Sequence, residues 1–132
     1  MHSVTVSTFL SASPDQVWNT IGDPGGISSW HPVVAESTLE DGMRKCTLAN
    51  GAVLAEQVDE VDQANRSYTY RIVDGPLPVE GYTSTIKVLD ADGGCCVEWT
   101  ASFGVTDGPA EETVGMIKGV YDAGMEALRG SF

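Results

Sequence analysis

Positive charge is scarce in this chain, with seven Lys and Arg against nineteen Asp and Glu and a formal net charge of −12. Such a field repels phosphate backbones and anionic headgroups, which argues against nucleic-acid and membrane-surface roles. Cysteine is also sparse. Cys46, Cys95 and Cys96 are an odd set with one adjacent pair. That is no disulfide framework, and no CxxC or Cys/His spacing suggests zinc, so reduced thiols and no metal are expected. There is no run of about 18 apolar residues to span a membrane. The opening MHSVTVSTFL lacks the charged and apolar regions of a signal peptide, so a cytoplasmic location is expected. GxSxG, P-loop, Rossmann glycine, HExxH and calcium-loop patterns are all missing. Catalysis through a nucleophilic serine, a nucleotide cofactor or a tightly held metal therefore has no support, and no cofactor is expected.

Apolar residues, at 42% of 132 positions, suffice for a single domain over residues 1–132 with its own core. Val4 to Leu10 alternates small polar and apolar residues, as a strand does. Ser13-Pro14-Asp15-Gln16 has the chemistry of a helix start: a capping hydroxyl, a proline at the first position and an acid at the positive end. Gly22-Asp23-Pro24-Gly25-Gly26 makes that helix short, and a second short one is expected over about Pro24 to Ser29.

From Val33 to Gly104, strand patterns alternate with turn chemistry at Glu40-Asp41-Gly42, Asn50-Gly51, Asp62 to Asn65, Gly75 to Pro78 and Asp90 to Gly94. Six strands in an antiparallel meander follow. A two-residue turn at Asn50-Gly51 sets Ala49 opposite Ala52 and Lys45 opposite Glu56. Pairing Leu89 with Cys96 sets Lys87 opposite Glu98 and Thr85 opposite Thr100 on one face. Ile86 then meets Trp99, and Tyr82 meets Phe103, on the other.

Pro109 to Arg129 reads as a long helix. Val114, Ile117, Tyr121, Met125 and Leu128 form its apolar band, widened to roughly 200° by Met116, Val120, Ala123 and Ala127. A band that wide predicts a helix covered on two sides. Gly124 near its middle is open to two readings, close contact with a neighbour or room for a ligand.

The order strand, two short helices, six strands and long helix resembles the START/Bet v 1-like (SRPBCC) superfamily of helix-grip proteins, and within it the polyketide cyclase/dehydrase-like branch. The resemblance is carried by Ser13-Pro14-Asp15-Gln16-Val17-Trp18, Gly22-Asp23, Trp30-His31-Pro32, Gly51, Glu56, Asp62 and Tyr68-Thr69-Tyr70. It continues through Gly75-Pro76-Leu77-Pro78-Val79, Tyr82, Trp99 and Gly119-Val120-Tyr121 with Gly124. The sequence also looks like the MxaD-type accessory proteins of that branch. The likeness implies an α+β helix-grip fold, a sheet of about seven strands gripping the C-terminal helix around a deep cavity. It also implies a gate at the cavity mouth, matched by Gly75 to Pro78 with Leu77 as an apolar tip.

Glu56 lies between Leu54 and Val58 on an alternating strand, so it is expected on the inner face. There it is either a general acid or base or a structural carboxylate partnered by Lys45, Arg44 or Arg71. His31, between Trp30 and Pro32, is the other candidate for proton transfer, or else a packing residue. Tyr68, Tyr70, Tyr82, Trp30 and Trp99 suit either a pocket or an ordinary core. The resemblance places Trp30, Tyr70, Leu77, Tyr82, Trp99, Ile117, Val120, Tyr121 and Gly124 around a ligand, with Glu56, His31 or Arg44 supplying polarity. A small hydrophobic lipid-, polyketide- or aromatic-like ligand is therefore the leading expectation. A cyclase or dehydratase using Glu56 or His31 is the alternative, and an accessory protein meeting a partner, or a homodimer, is the third.

Overall fold

Alternation along each strand turns one set of side chains inward, and in this protein those sets line up across a single curved sheet. The computed structural model describes all 132 residues, Met1–Phe132. The strands are β1 (His2–Leu10), β2 (Val34–Glu40), β3 (Met43–Leu48), β4 (Val53–Asp62), β5 (Ser67–Asp74), β6 (Val79–Ala91) and β7 (Gly94–Val105). The helices are α1 (Pro14–Ile21), a 3-10 turn at Pro24–Ser29 and α2 (Ala110–Ser131). The sheet runs β1-β7-β6-β5-β4-β3-β2, every neighbouring pair antiparallel. It is the expected seven-stranded helix-grip arrangement, with α2 as the gripped element.

α1 starts as its sequence dictates. The Gln16 N–H donates to Ser13 Oγ at 3.2 Å, and the Ser13 N–H donates to Gln16 Oε1 at 3.1 Å, a reciprocal capping box. Its buried Val17, Trp18 and Ile21 face the core. The sheet contributes Val4, Val6 and Leu10 from β1, Ile86 and Val88 from β6, and Val97, Trp99, Ala101 and Phe103 from β7.

Two registers were open to inference from turn chemistry. The β6–β7 register is as expected from Thr83 to Ala91, including Lys87 opposite Glu98 and Ile86 opposite Trp99. An irregularity between Glu80 and Thr83 ends it, so Tyr82 and Phe103 meet by ring stacking at 5.5 Å rather than as a backbone pair.

The β3–β4 register differs from expectation by one residue. The loop is Ala49-Asn50-Gly51, three residues rather than two: the Leu48 N–H donates to the Ala52 carbonyl at 2.8 Å. Gly51 adopts φ +90°, and Asn50 Oδ1 accepts from the Ala52 N–H at 3.0 Å. A turn closed by a left-handed glycine is the usual way to fit the third residue. A one-residue slip exchanges the faces of a strand. Lys45 therefore points to solvent opposite Ala55, and Arg44 takes the buried place opposite Glu56.

α2 is less fully covered than its apolar arc suggested. Thr113, Ile117, Tyr121, Gly124, Met125 and Leu128 are buried, whereas Met116 keeps 46% of its surface exposed. The cause is visible in the layout: the C-terminal half of α2 packs on the sheet, and the N-terminal half borders open space.

Candidate functional site

That open space is a cavity of about 360 Å³ between β3–β5, the β5–β6 loop and the N-terminal half of α2. Its wall is mostly apolar, including Ile27, Leu54, Ile72, Leu77, Ile117 and Val120. Pro76, Leu77 and Pro78 of the β5–β6 loop are part of the lining. The volume lies at the small end of ligand pockets, which span roughly 300–1,000 Å³. No three His, Cys, Asp or Glu side chains converge to hold a metal ion.

One polar cluster sits in this wall. Arg44 and Glu56 face each other across β3 and β4 and are 1% and 4% exposed. Arg44 Nε donates to Glu56 Oε1 at 2.7 Å, and Arg44 Nη1 donates to the Pro24 carbonyl and to Tyr68 Oη, both at 3.1 Å. The guanidinium lies 4.5 Å from the Tyr70 ring centroid and 5.6 Å from that of Tyr68. Such stacking supports a cation in a dry site. Cys46 Sγ also donates to Glu56 Oε1, at 3.4 Å. Burial, with the Glu56 carboxylate beside it, pushes the Cys46 thiol up to about 12. Cys46 is thus an unreactive donor to the carboxylate.

A second cluster joins Tyr70, Tyr82, Tyr121, Ser84 and Trp99, and its donors can be assigned. Ser84 Oγ donates to the Thr100 carbonyl at 3.0 Å and accepts from Trp99 Nε1 at 3.0 Å. Its one hydrogen is spent, so Tyr121 Oη donates to Ser84 Oγ at 2.8 Å. Tyr82 Oη must then donate to Tyr121 Oη. Burial raises all three phenols above their ordinary value, so they are neutral. The Trp99 and Tyr121 rings stack face to face on each other at 4.0 Å and 6°.

His31 is committed on both sides. Its Nδ1 accepts from the Val33 N–H at 3.1 Å, so Nε2 carries the hydrogen that reaches the Val120 carbonyl of α2 at 2.8 Å. Burial lowers its pKa, outweighing the Val120 carbonyl, which favours the charged form, and Arg44 lowers it further. The ring is a neutral clamp between the segment before β2 and α2.

Ten of the twelve residues expected at the site meet in the cavity wall: His31, Arg44, Glu56, Tyr70, Leu77, Tyr82, Trp99, Ile117, Val120 and Tyr121. Trp30 and Gly124 do not. A Cβ on Gly124 would lie 2.8 Å from His31 Cδ2, 3.0 Å from His31 Nε2 and 3.2 Å from Trp30 Cζ3. At Gly124 the helix makes a close contact with His31, whose Nε2 reaches the Val120 carbonyl one turn earlier. Trp30 packs against His31 and Trp99 at centroid distances of 5.4 and 5.9 Å. Sequence reasoning missed Cys46, Ile72, Ile27 and Met116. For Ile72 the signal was present, since it continues the inward alternation of Tyr68 and Tyr70; Cys46 shares the face of Arg44, which the expected register turned outward. Ile27 lies in a 3-10 turn, which has no such period.

The family model for polyketide cyclase / dehydrase and lipid transport proteins matches residues 1–132. The chain belongs to this family. Among solved structures, the protein XoxI from Bacillus cereus superposes with a TM-score of 0.97 at 31% identity, covering 100% of this chain and 96% of that one. A START superfamily protein from Mycobacterium smegmatis, at 11% identity, shares the fold with a TM-score of 0.81 over 99% of this chain and 97% of that one. MLP-like protein 423 of Arabidopsis thaliana is 25% identical over 114 residues, 74% of this chain and 73% of its own length. The polyketide cyclase/dehydrase branch read from SPDQVWNTIGD and the element order is therefore borne out, and with it the START-like fold. No helix is long and apolar enough to cross a membrane.

Proposed function

We propose that this protein binds a small hydrophobic molecule in the cavity between β3–β5 and α2. The observation that carries the reading is the cavity itself: about 360 Å³ of mostly apolar wall with a single ion pair set into it. A folded chain of this size fills its interior unless the space is used, because every void forfeits packing energy. The four aromatic side chains in the lining, Tyr70, Tyr82, Trp99 and Tyr121, favour a ring-containing ligand, and the modest volume favours a compact one over a long acyl chain. Membership of a family described as polyketide cyclase / dehydrase and lipid transport fits the same chemistry.

Of the two candidates for proton transfer, His31 is engaged through both ring nitrogens, and Glu56 is held at Oε1 by the Arg44 guanidinium and the Cys46 thiol, a pairing that suits an anchoring carboxylate better than a proton carrier. These commitments favour binding over turnover. Native mass spectrometry of protein purified without added ligand tests the reading, with an adduct of a few hundred daltons that disappears on denaturation as the expected result. Protein that carries no adduct and also takes up none of a panel of small aromatic compounds would defeat it.

A further inference from the structure

The ion pair does more than neutralise itself. Both hydrogen bonds to Glu56 fall on Oε1, and Oε2 accepts none from the chain. Trp30 Nε1 is the only side-chain nitrogen or oxygen that is sealed in and unpartnered. Glu56 Oε2 is therefore not walled off by packed atoms, and Glu56 lines the cavity. An acceptor on a residue only 4% exposed, with no partner in the chain, costs free energy unless something in the cavity donates to it. On the other side of the pair, Arg44 spends Nε and Nη1 on the chain and lays its face on Tyr70 and Tyr68, while Nη2 makes no hydrogen bond.

The formal charges of the wall cancel. Arg44 and Glu56 compensate each other, and the cavity wall holds no other Lys, Arg, Asp or Glu. A ligand anion would find the one cation already paired and a carboxylate oxygen beside it. A ligand cation would face the Arg44 guanidinium at short range. Neither charge is matched, and burying an unmatched charge is costly.

The geometry points to an uncharged ring compound carrying a hydroxyl, which donates to Glu56 Oε2 while its apolar body lies in the aromatic and aliphatic remainder of the cavity. The inference rests on the reading above that the cavity holds a ligand. Hydrogen bonds to an ionised acceptor are the strong ones, which makes this contact the main source of selectivity.

Three probes of nearly one shape separate the possibilities by calorimetric titration at pH 7: 2-naphthol, 2-methoxynaphthalene and 2-naphthoate. Binding of 2-naphthol at least about tenfold tighter than the methyl ether, with 2-naphthoate weakest, is expected. Glu56→Gln should reduce the preference for naphthol. Where that variant does not fold because Arg44 is left unpaired, the double variant Arg44→Met/Glu56→Leu replaces the pair with apolar groups. It should bind naphthol and the ether equally. Equal binding of naphthol and the ether to the unaltered protein, or tightest binding of 2-naphthoate, overturns the hydroxyl inference while leaving the cavity reading intact. Failure of all three probes to bind overturns both.

Discussion

The interior of this protein has a solid end and a hollow end, and α2 passes through both. At the solid end, Leu10, Val17, Ile21, Val88, Val97, Met125 and Leu128 are each 2% exposed or less. At the hollow end, Leu54 and Ile72, with Val120 of the same helix, face the cavity. The two ends use different chemistry on one sheet face. Mostly aliphatic side chains, with Trp18 and Cys95, fill the first, whereas the second sets a charged pair, hydroxyls and flat rings around a space. Stability resides where atoms interlock, and selectivity resides where a few polar atoms remain uncommitted. The comparison also accounts for the glycines of α2. Gly124 lies under His31 with no room for a methyl group, while a methyl group on Gly115 or Gly119 would meet nothing within 4 Å.

The largest expected effect lies at the hollow end despite its lack of packing. Arg44→Ala or Glu56→Ala strands a buried charge and should cost about 3–5 kcal/mol in denaturant unfolding. The apolar double replacement Arg44→Met/Glu56→Leu should restore most of that loss, since a buried pair often gains little over well-packed apolar groups. If the single variants are as stable as the original, the pair is not buried as described.

Truncation compares the two ends directly. Leu128→Ala, at 1% exposure on the solid end, should cost about 3–4 kcal/mol, and Leu54→Ala, beside an existing space, about 1–2 kcal/mol. Equal losses would erase the distinction between filled and hollow. Next come the glycines. Gly124→Ala should destabilise by about 1–3 kcal/mol through overpacking against His31, although alanine is the better helix former. Gly119→Ala, with open space around it, should stabilise by about 0.5–1 kcal/mol. A gain at both positions would mean that His31 is not clamped to the helix.

The pH dependence has a definite sign. The folded pKa of His31 lies below its ordinary value of 6.5, so the unfolded chain takes up the proton first. The contribution of the neutral clamp is complete above about pH 6.5 and is lost as the pH falls toward the folded value. The unfolding free energy of the original protein should therefore decline more steeply between pH 6.5 and 5 than that of His31→Gln. Parallel curves would contradict the clamp. The smallest effect belongs to the outer face, where Lys87 Nζ lies 3.7 Å from Glu98 Oε1 with both side chains partly exposed. Lys87→Glu should change stability by less than about 1 kcal/mol and should matter less in high salt.

Much of the architecture was legible because it depends on local chemistry. The capping sequence at Ser13, the turns between strands and the period of α2 each predict their own element without reference to the rest. Arg44 shows where legibility stops. Asn-Gly signals a turn but does not say whether the loop has two residues or three, and that single residue decides whether Lys45 or Arg44 is buried against Glu56. Gly124 shows the same limit. A glycine in an apolar arc fits both a ligand and a close contact, and only the position of His31, about ninety residues earlier in the chain, distinguishes them. The cavity wall was readable where it follows strand alternation, as at Tyr70 and Glu56, and unreadable at Ile27, where the backbone has no alternation to follow.

The central claim, that the hollow end receives a small molecule while the solid end does not, is tested most directly by NMR chemical-shift mapping during titration with 2-naphthol. Saturable shifts at the methyl groups of Leu54, Ile72, Ile117 and Val120, with Leu10, Val17, Ile21 and Leu128 unmoved, are the expected result. Shifts centred on the solid end, or none at the hollow end up to the solubility limit of the probe, would contradict it.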